Sequence, residues 1–166
     1  MLTTRKVEVS DYETVRELFE QGRSFQQSLG FFQWLPGYPS EEILVQDMER
    51  GRGYVFMTDD VIVGYASIFT DSDEEYDRMA HIWRTPKEYG AVHRLVLSDT
   101  VRGRGLGRSI LGICEDLIAR SGCKAVRIDT GLQNKPMQRL LAGAGYSCRG
   151  EHNFVWGPRL AYEKLV

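Results

Sequence analysis

The stretch from Val92 to Ser109 constrains the fold of this chain more than any other. An apolar run, Val92 to Leu97, passes through a short turn into a glycine-rich corner at Arg102, Gly103, Arg104, Gly105, Leu106 and Gly107. The corner opens directly into a segment where Leu106, Ile110, Ile113, Cys114, Leu117 and Ile118 recur at helical spacing. A strand, a glycine corner and a helix in that order direct several backbone N–H groups and the positive end of a helix dipole at one point, which suits a phosphate. The dinucleotide pattern Gly-x-Gly-x-x-Gly, begun at Gly103, requires glycine where Arg108 stands, and the Gly-Lys-Ser/Thr of a Walker loop is absent. The pattern that does fit is Arg/Gln-x-x-Gly-x-Gly/Ala, with Arg102, Gly105 and Gly107 in its fixed places.

With 166 residues the chain is most simply one domain, 1–166, long enough to bury a core. Its formal charge of −2 argues against nucleic acid as a main partner, because phosphate-backbone binding calls for clustered basic residues. Any anion site is therefore local, and Arg102, Arg104 and Arg108 supply the charge for one. The cysteines, Cys114, Cys123 and Cys148, are odd in number and lack metal-ligand spacing, so neither a disulfide framework nor a metal site is expected. The N-terminal residues lack the apolar stretch of a signal peptide, and no run approaches the ~20 apolar residues of a membrane span. A cytoplasmic protein without a membrane partner is the expectation.

The rest of the chain reads as punctuated elements. Arg5 to Val9 is a first strand, followed by a capping box at Ser10 and Glu13 and a helix carrying Tyr12, Val15, Leu18 and Phe19 up to Gly22. Residues 25–39 are rich in aromatics, glycine and proline and read as a loop or broken helix. Ser40 caps a second helix that stops at Arg50-Gly51. Gly53 to Thr58 and Val61 to Thr70 form a hairpin across Asp59-Asp60. Residues 71–89 are acidic, then irregular, and are expected to be loop or poorly regular strand. Ala91 to Ser98 is a strand, Gly122 ends the long helix, and Ala125 to Thr130 is the next strand. Asn134 caps a short helix stopped by Gly145, and Tyr146 to Arg149 and Arg159 to Leu165 close the chain around a Gly157-Pro158 break. Strands flanking the long helix must be parallel and joined by a right-handed crossover, while the hairpins are antiparallel. The expected class is α/β (mixed α+β), a mixed central sheet with helices on both faces.

Both the element order and the Arg102–Gly107 corner resemble the GCN5-related N-acetyltransferase (GNAT) superfamily, whose acyl-CoA N-acyltransferase fold and acetyl-coenzyme A cofactor are implied for this chain. A second element, Asn134 to Tyr146, is similar to the family's Asn-x-x-Ala-x-x-Leu-Tyr-x-x-x-Gly-Phe, with Asn134, Leu140, Gly145 and Tyr146 matching. The resemblance implies that the cofactor pyrophosphate meets Arg102, Gly103, Arg104, Gly105, Leu106, Gly107, Arg108 and Ser109. It also implies that the pantetheine arm bonds along the backbone of Leu95, Val96 and Leu97, with Asn134 a cofactor contact, a helix cap, or both. One position departs from the family: Leu141 stands where many members carry a tyrosine that protonates the departing thiolate.

Attack on a thioester requires a neutral amine, and hence a base. His93 is the candidate by chemistry and by its place in the family pattern; a histidine satisfied inside the sheet is the competing reading, and Arg94 on the opposite face reads as structural. Phe31, Trp34 and Trp83 are candidates to contact the acceptor, with Phe32, Tyr38 and His81 nearby in sequence. The expected function is direct transfer of an acetyl group from acetyl-coenzyme A to a small-molecule or peptide amine, with no metal. A coenzyme A-binding module without catalysis is the alternative, and the closing strands leave a homodimer open.

Overall fold

Turn and cap residues divide the chain into its elements. The structure, a computed structural model describing residues 1–166, runs β1 (Leu2–Lys6), α1 (Tyr12–Ser28), α2 (Glu41–Glu49), β2 (Gly53–Thr58), β3 (Val61–Phe69), α3 (Glu74–Arg78), β4 (Tyr89–Leu97), α4 (Leu106–Arg120), β5 (Ala125–Thr130), α5 (Lys135–Gly143), β6 (Ser147–Phe154) and β7 (Gly157–Leu165). Ser40 caps α2 through a hydrogen bond to its Oγ from the Ile43 N–H (3.2 Å), and Asn134 caps α5 by accepting from the Met137 N–H (3.2 Å). Asp59 and Asp60 both lie at positive φ (49° and 63°), the conformation a two-residue hairpin turn needs to match strand twist.

Five expectations need correction. The first strand is Leu2–Lys6 rather than Arg5–Val9, and Val9 opens a 3-10 turn over Val9–Asp11. The capping contact before α1 comes from the Glu8 N–H to Asp11 Oδ2 (2.8 Å), not from Ser10 and Glu13, and α1 runs through Gly22 to Ser28. A Cβ at Gly22 would lie 2.7 Å from the Trp34 ring and 3.0 Å from a Val96 methyl, so this glycine gives close approach to the β4 side chain instead of a stop. Residues 71–89 contain α3, with Asp73 as its cap, and a 3-10 turn at Ala80–Ile82. Five residues are too few to show a helical period. Lastly, Gly157-Pro158 begins β7 rather than breaking it, and the β6–β7 turn falls at Val155-Trp156.

The fold is mixed α+β, and the chain divides into two compact units. The first comprises Met1–Ile68 with His93–Ile110, and the second Phe69–Val92 with Leu111–Val166. Strand order is β1-β2-β3-β4 in the first and β4-β5-β7-β6 in the second, seven strands in all. The first unit is built on Val15, Leu18, Phe19, Trp34, Leu44, Val55, Tyr65 and Val96. The second is built on Tyr76, Trp83, Tyr89, Ala91, Ala125 and Phe154. Within the second, β4 and β5 are parallel, paired at Tyr89↔Ala125, Gly90↔Val126 and Ala91↔Arg127, as the crossover through α4 requires. No helix is long and apolar enough to cross a membrane.

Near the N-terminus, Arg5 grips the buried Asp11 with both terminal nitrogens (2.6 and 2.9 Å). These hydrogen bonds outweigh the penalty of burial and hold the Asp11 carboxyl below its ordinary pKa. An unfolded chain takes up that proton first, so the pair stabilises fully above the usual aspartate range, around ~4, and fades as pH falls through and below it. Asp11→Asn is therefore expected to cost about 1–3 kcal/mol at neutral pH. The gap to the wild type should shrink strongly under acid conditions. Urea unfolding of both proteins across that range measures it.

Candidate functional site

Helix α4 begins at Leu106, and α-helical geometry leaves the N–H groups of Gly105, Leu106 and Gly107 without acceptors inside the helix. The loop in front of it is firmly held. The Ser98 N–H donates to Val63 O on β3 (2.8 Å), the Asp99 N–H to Gln21 Oε1 on α1 (2.9 Å), and the Val101 and Arg102 N–H groups both to Ser98 O (3.1 Å). Gly103 and Gly105 adopt positive φ (79° and 82°), and no atom lies within 4 Å of where a Cβ would stand on either. The corner is thus a fixed turn with open space over its glycines and unpaired donors behind them, as an anion site requires.

The three arginines differ in what they do. Arg104 and Arg108 are exposed, but Arg102 is turned back on the loop. Its guanidinium donates to Leu97 O (2.8 Å), pairs with Asp99 and stacks over the Phe25 ring at 4.1 Å. Arg102 is therefore a brace for the corner as well as a source of charge.

Upstream on β4, Val96 is buried, His93, Leu95 and Leu97 are half-buried, and the Arg94 side chain is largely withdrawn from water. The strict alternation that sets His93 and Arg94 on opposite faces is interrupted, because Arg94 lies at φ 55°. Sequence reasoning missed this bend and the buried cluster around it. Asp47 of α2 takes two hydrogen bonds from Arg94, at 2.6 and 3.0 Å, and a third from the Tyr65 hydroxyl at 2.6 Å. Burial first, then the Asp47 charge, push the Tyr65 hydroxyl well above its usual pKa, so it remains a donor. Nothing in the local pattern at Asp47 marks it, since an acidic residue on a helix is ordinarily a solvated one.

The remaining expected site residues fall elsewhere. Phe31, Trp34 and Trp83 are each under 8% exposed. Trp34 packs edge-on to Phe19 in the first unit, and the Trp83 indole donates to Tyr76 O in the second. The exposed aromatics of the 29–39 loop are Phe32 and Tyr38. Leu141 is fully buried in α5, and Cys114 is likewise fully buried, which pushes its thiol up in pKa and keeps it in the packed core. A buried carboxylate also went unnoticed at the end of β5: Asp129 accepts from the Tyr76 hydroxyl (2.5 Å) and the Trp156 indole (3.0 Å). An open groove of about 490 Å³ in the second unit has Arg84, Arg149, Glu163 and Lys164 among its lining residues. Glu163 there is saturated by the N–H groups of Arg84 and Thr85, the Thr85 hydroxyl and Arg149, so it offers no reactive group.

Comparison with known proteins identifies the family and the fold. The model of the acetyltransferase (GNAT) family matches residues 13–146. A GNAT-family acetyltransferase from Streptococcus agalactiae is 28% identical, with a TM-score of 0.86 over 99% of this chain and 95% of that one. A GNAT-family acetyltransferase from Listeria monocytogenes is 20% identical, with a TM-score of 0.78 over 99% and 95%. An N-acetyltransferase from Thermoplasma acidophilum, solved in complex with coenzyme A, is 15% identical, with a TM-score of 0.75 over 100% and 99%. No curated protein sequence matches the chain.

Because Arg102 braces the corner and Arg104 does not, their alanine variants should separate. Arg102→Ala is expected to cost about 1–2 kcal/mol and to speed amide exchange across residues 98–105, whereas Arg104→Ala leaves both near wild type. Hydrogen-exchange mass spectrometry with thermal melting measures the two variants.

Proposed function

The chain belongs to the acetyltransferase (GNAT) family, and from that premise we propose that it transfers the acetyl group of acetyl-coenzyme A directly to an amine acceptor held beside β4. The observation that carries this reading is the corner at Gly103 and Gly105 running into the start of α4. Its positive-φ glycines, open space and orphan N–H groups fit a pyrophosphate. The backbone from Arg102 to Ser109 would hold that group, Arg104 and Arg108 would add charge, and the backbone of Leu95, Val96 and Leu97 would hold the pantetheine arm. The Thermoplasma acidophilum protein, of the same fold, carries coenzyme A, which supports this choice of ligand.

Acetyl-coenzyme A supplies, when bound, an activated thioester whose thiol, with an ordinary pKa of ~8.5, is a fair leaving group without help from an acid. This matters because Leu141, buried and aliphatic, donates no proton. His93, half-buried on β4, takes the proton from the acceptor amine. The exposed Phe32 and Tyr38 of the 29–39 loop offer apolar and hydroxyl contacts to the acceptor. A small-molecule amine and a peptide amine both suit this surface.

Coenzyme A present at 100 times its dissociation constant is expected to stabilise the protein by about 2.7 kcal/mol. Gly105→Val should abolish most of that gain, since a β-branched residue resists the left-handed conformation and its methyls enter the approach to the phosphates. Thermal melts with and without coenzyme A test both, and a wild-type curve unmoved by millimolar ligand would refute the cofactor.

His93→Ala is expected to lower kcat by ~10²–10⁴-fold with coenzyme A affinity retained. Free-thiol release with a panel of amines measures kcat, and calorimetry measures the affinity. A folded variant with undiminished kcat removes His93 from the mechanism.

A further inference from the structure

We propose that the Asp47–Arg94 ion pair is a positioning latch, holding β4 in the bend that presents Leu95–Leu97 to the cofactor and His93 to the acceptor. The inference rests on the acetyltransfer reading above, but it concerns residues outside the cofactor corner and outside proton transfer.

The bend is a strained one. Arg94 lies at φ 55°, a region in which a residue with a long side chain is costly, and nothing in the sequence around it eases the cost. Such a conformation persists only when its surroundings over-determine it, and bends of this kind re-aim strand residues next to active sites. The surroundings here are three separate segments: α2, β3 and the 29–39 loop. The Arg94 Nη2 donates to Asp47 Oδ1 of α2 (2.6 Å) and to Ser67 Oγ of β3 (3.0 Å), while Nε donates to Asp47 Oδ2 (3.0 Å). Its Nη1 reaches the Tyr38 hydroxyl of the 29–39 loop at 3.4 Å, and the Tyr65 hydroxyl of β3 completes Asp47.

Both charges are nearly out of water: the Arg94 side chain is 11% exposed and that of Asp47 4%. Burying an ion pair is a poor way to gain stability, since apolar residues of similar volume commonly do as well or better. What the planar, two-pronged contact provides instead is direction. It fixes the guanidinium, and through it the Cα of Arg94, against α2 and β3. The bend also comes at a telling place along β4. Pairing to β5 is in register at Ala91↔Arg127, and Arg94 follows three residues later, immediately after His93 and immediately before Leu95. A left-handed residue there interrupts the regular alternation of the strand immediately before the peptide groups assigned to the pantetheine arm.

Paired variants separate positioning from mere support. When Asp47→Asn is combined with replacement of Arg94, no lone buried charge is left, and Gly and Ala can be compared at position 94. Arg94→Gly takes up positive φ freely and Arg94→Ala does not. The D47N/R94G protein is expected to keep its coenzyme A Kd within about threefold of wild type, while D47N/R94A weakens it by about tenfold, with kcat following the same order. Calorimetric affinity per folded molecule is the deciding readout, because a purely structural role lowers Tm and leaves that affinity unmoved. Arg94→Lys keeps a cation opposite Asp47, and with it the fold, but loses the fork. It should weaken coenzyme A by at least threefold and speed amide exchange at Leu95–Leu97. Equal affinities in the two double variants overturn the latch while the acetyltransfer reading stands, and so does a wild-type affinity in Arg94→Lys, which decides the matter should D47N/R94A not fold. A wild-type protein that fails to bind coenzyme A overturns both.

Discussion

The first N–H groups of an α-helix have no acceptor within it, and much of this chain is arranged around those groups at the start of α4. Donors left unpaired at a surface need either water or a ligand. Here the chain approaches them through Gly103 and Gly105, which leave space above the corner, and from a loop already tied to β3 and α1. The corner is therefore stiff, with open space above its glycines, as the proposed pyrophosphate site requires. Its tether also links that geometry to the first core, since Gly22 lets Trp34 and Val96 meet over α1.

Buried arginines serve β4 from both units. In the first, Arg94 is paired with Asp47. Burial opposes its charge, yet the attraction and hydrogen bonds of Asp47 prevail and raise its pKa. In the second, Arg127 has no such carboxylate among its hydrogen-bond acceptors. Its guanidinium lies over the Tyr89 ring at 3.9 Å and near Trp83 at 5.0 Å, and it donates to the carbonyls of Thr85 and Pro86. Burial lowers its pKa, and the aromatic faces and carbonyls take the place of a counter-ion. One arginine sets the direction of the strand after His93; the other holds the segment that leads into the strand.

The contrast between these arginines and those of the corner bears on how charge is read from a sequence. Arg102, Arg104 and Arg108 each stand next to a glycine of the corner, yet Arg102 is occupied by Leu97 O, Asp99 and Phe25. A count of positive residues near a phosphate motif takes no account of such ties, because an arginine can equally satisfy carbonyls left over at a strand end. The aromatic residues illustrate the same point. Trp34 and Trp83 are large enough to anchor a core, and that is where each is packed, leaving the smaller share of exposed aromatic surface to Phe32 and Tyr38.

What was legible in the sequence was whatever depends on neighbours a few residues apart. The glycine corner, the helical period from Leu106 to Ile118, the caps at Ser40 and Asn134 and the Asp59-Asp60 turn all act within one or two turns of chain, so residue order determined them. The family could be reached from the same local pattern, because the phosphate geometry is itself local. The passage of α1 through Gly22, the left-handed Arg94, its pairing with Asp47 and the withdrawal of Arg102 depend on partners brought together only by folding. Asp47 and Arg94 are 47 positions apart, and no spacing rule links them. Tertiary structure decided these because a buried charge or a strained φ has no favourable local reason to exist and is held only by atoms arriving from elsewhere in the chain.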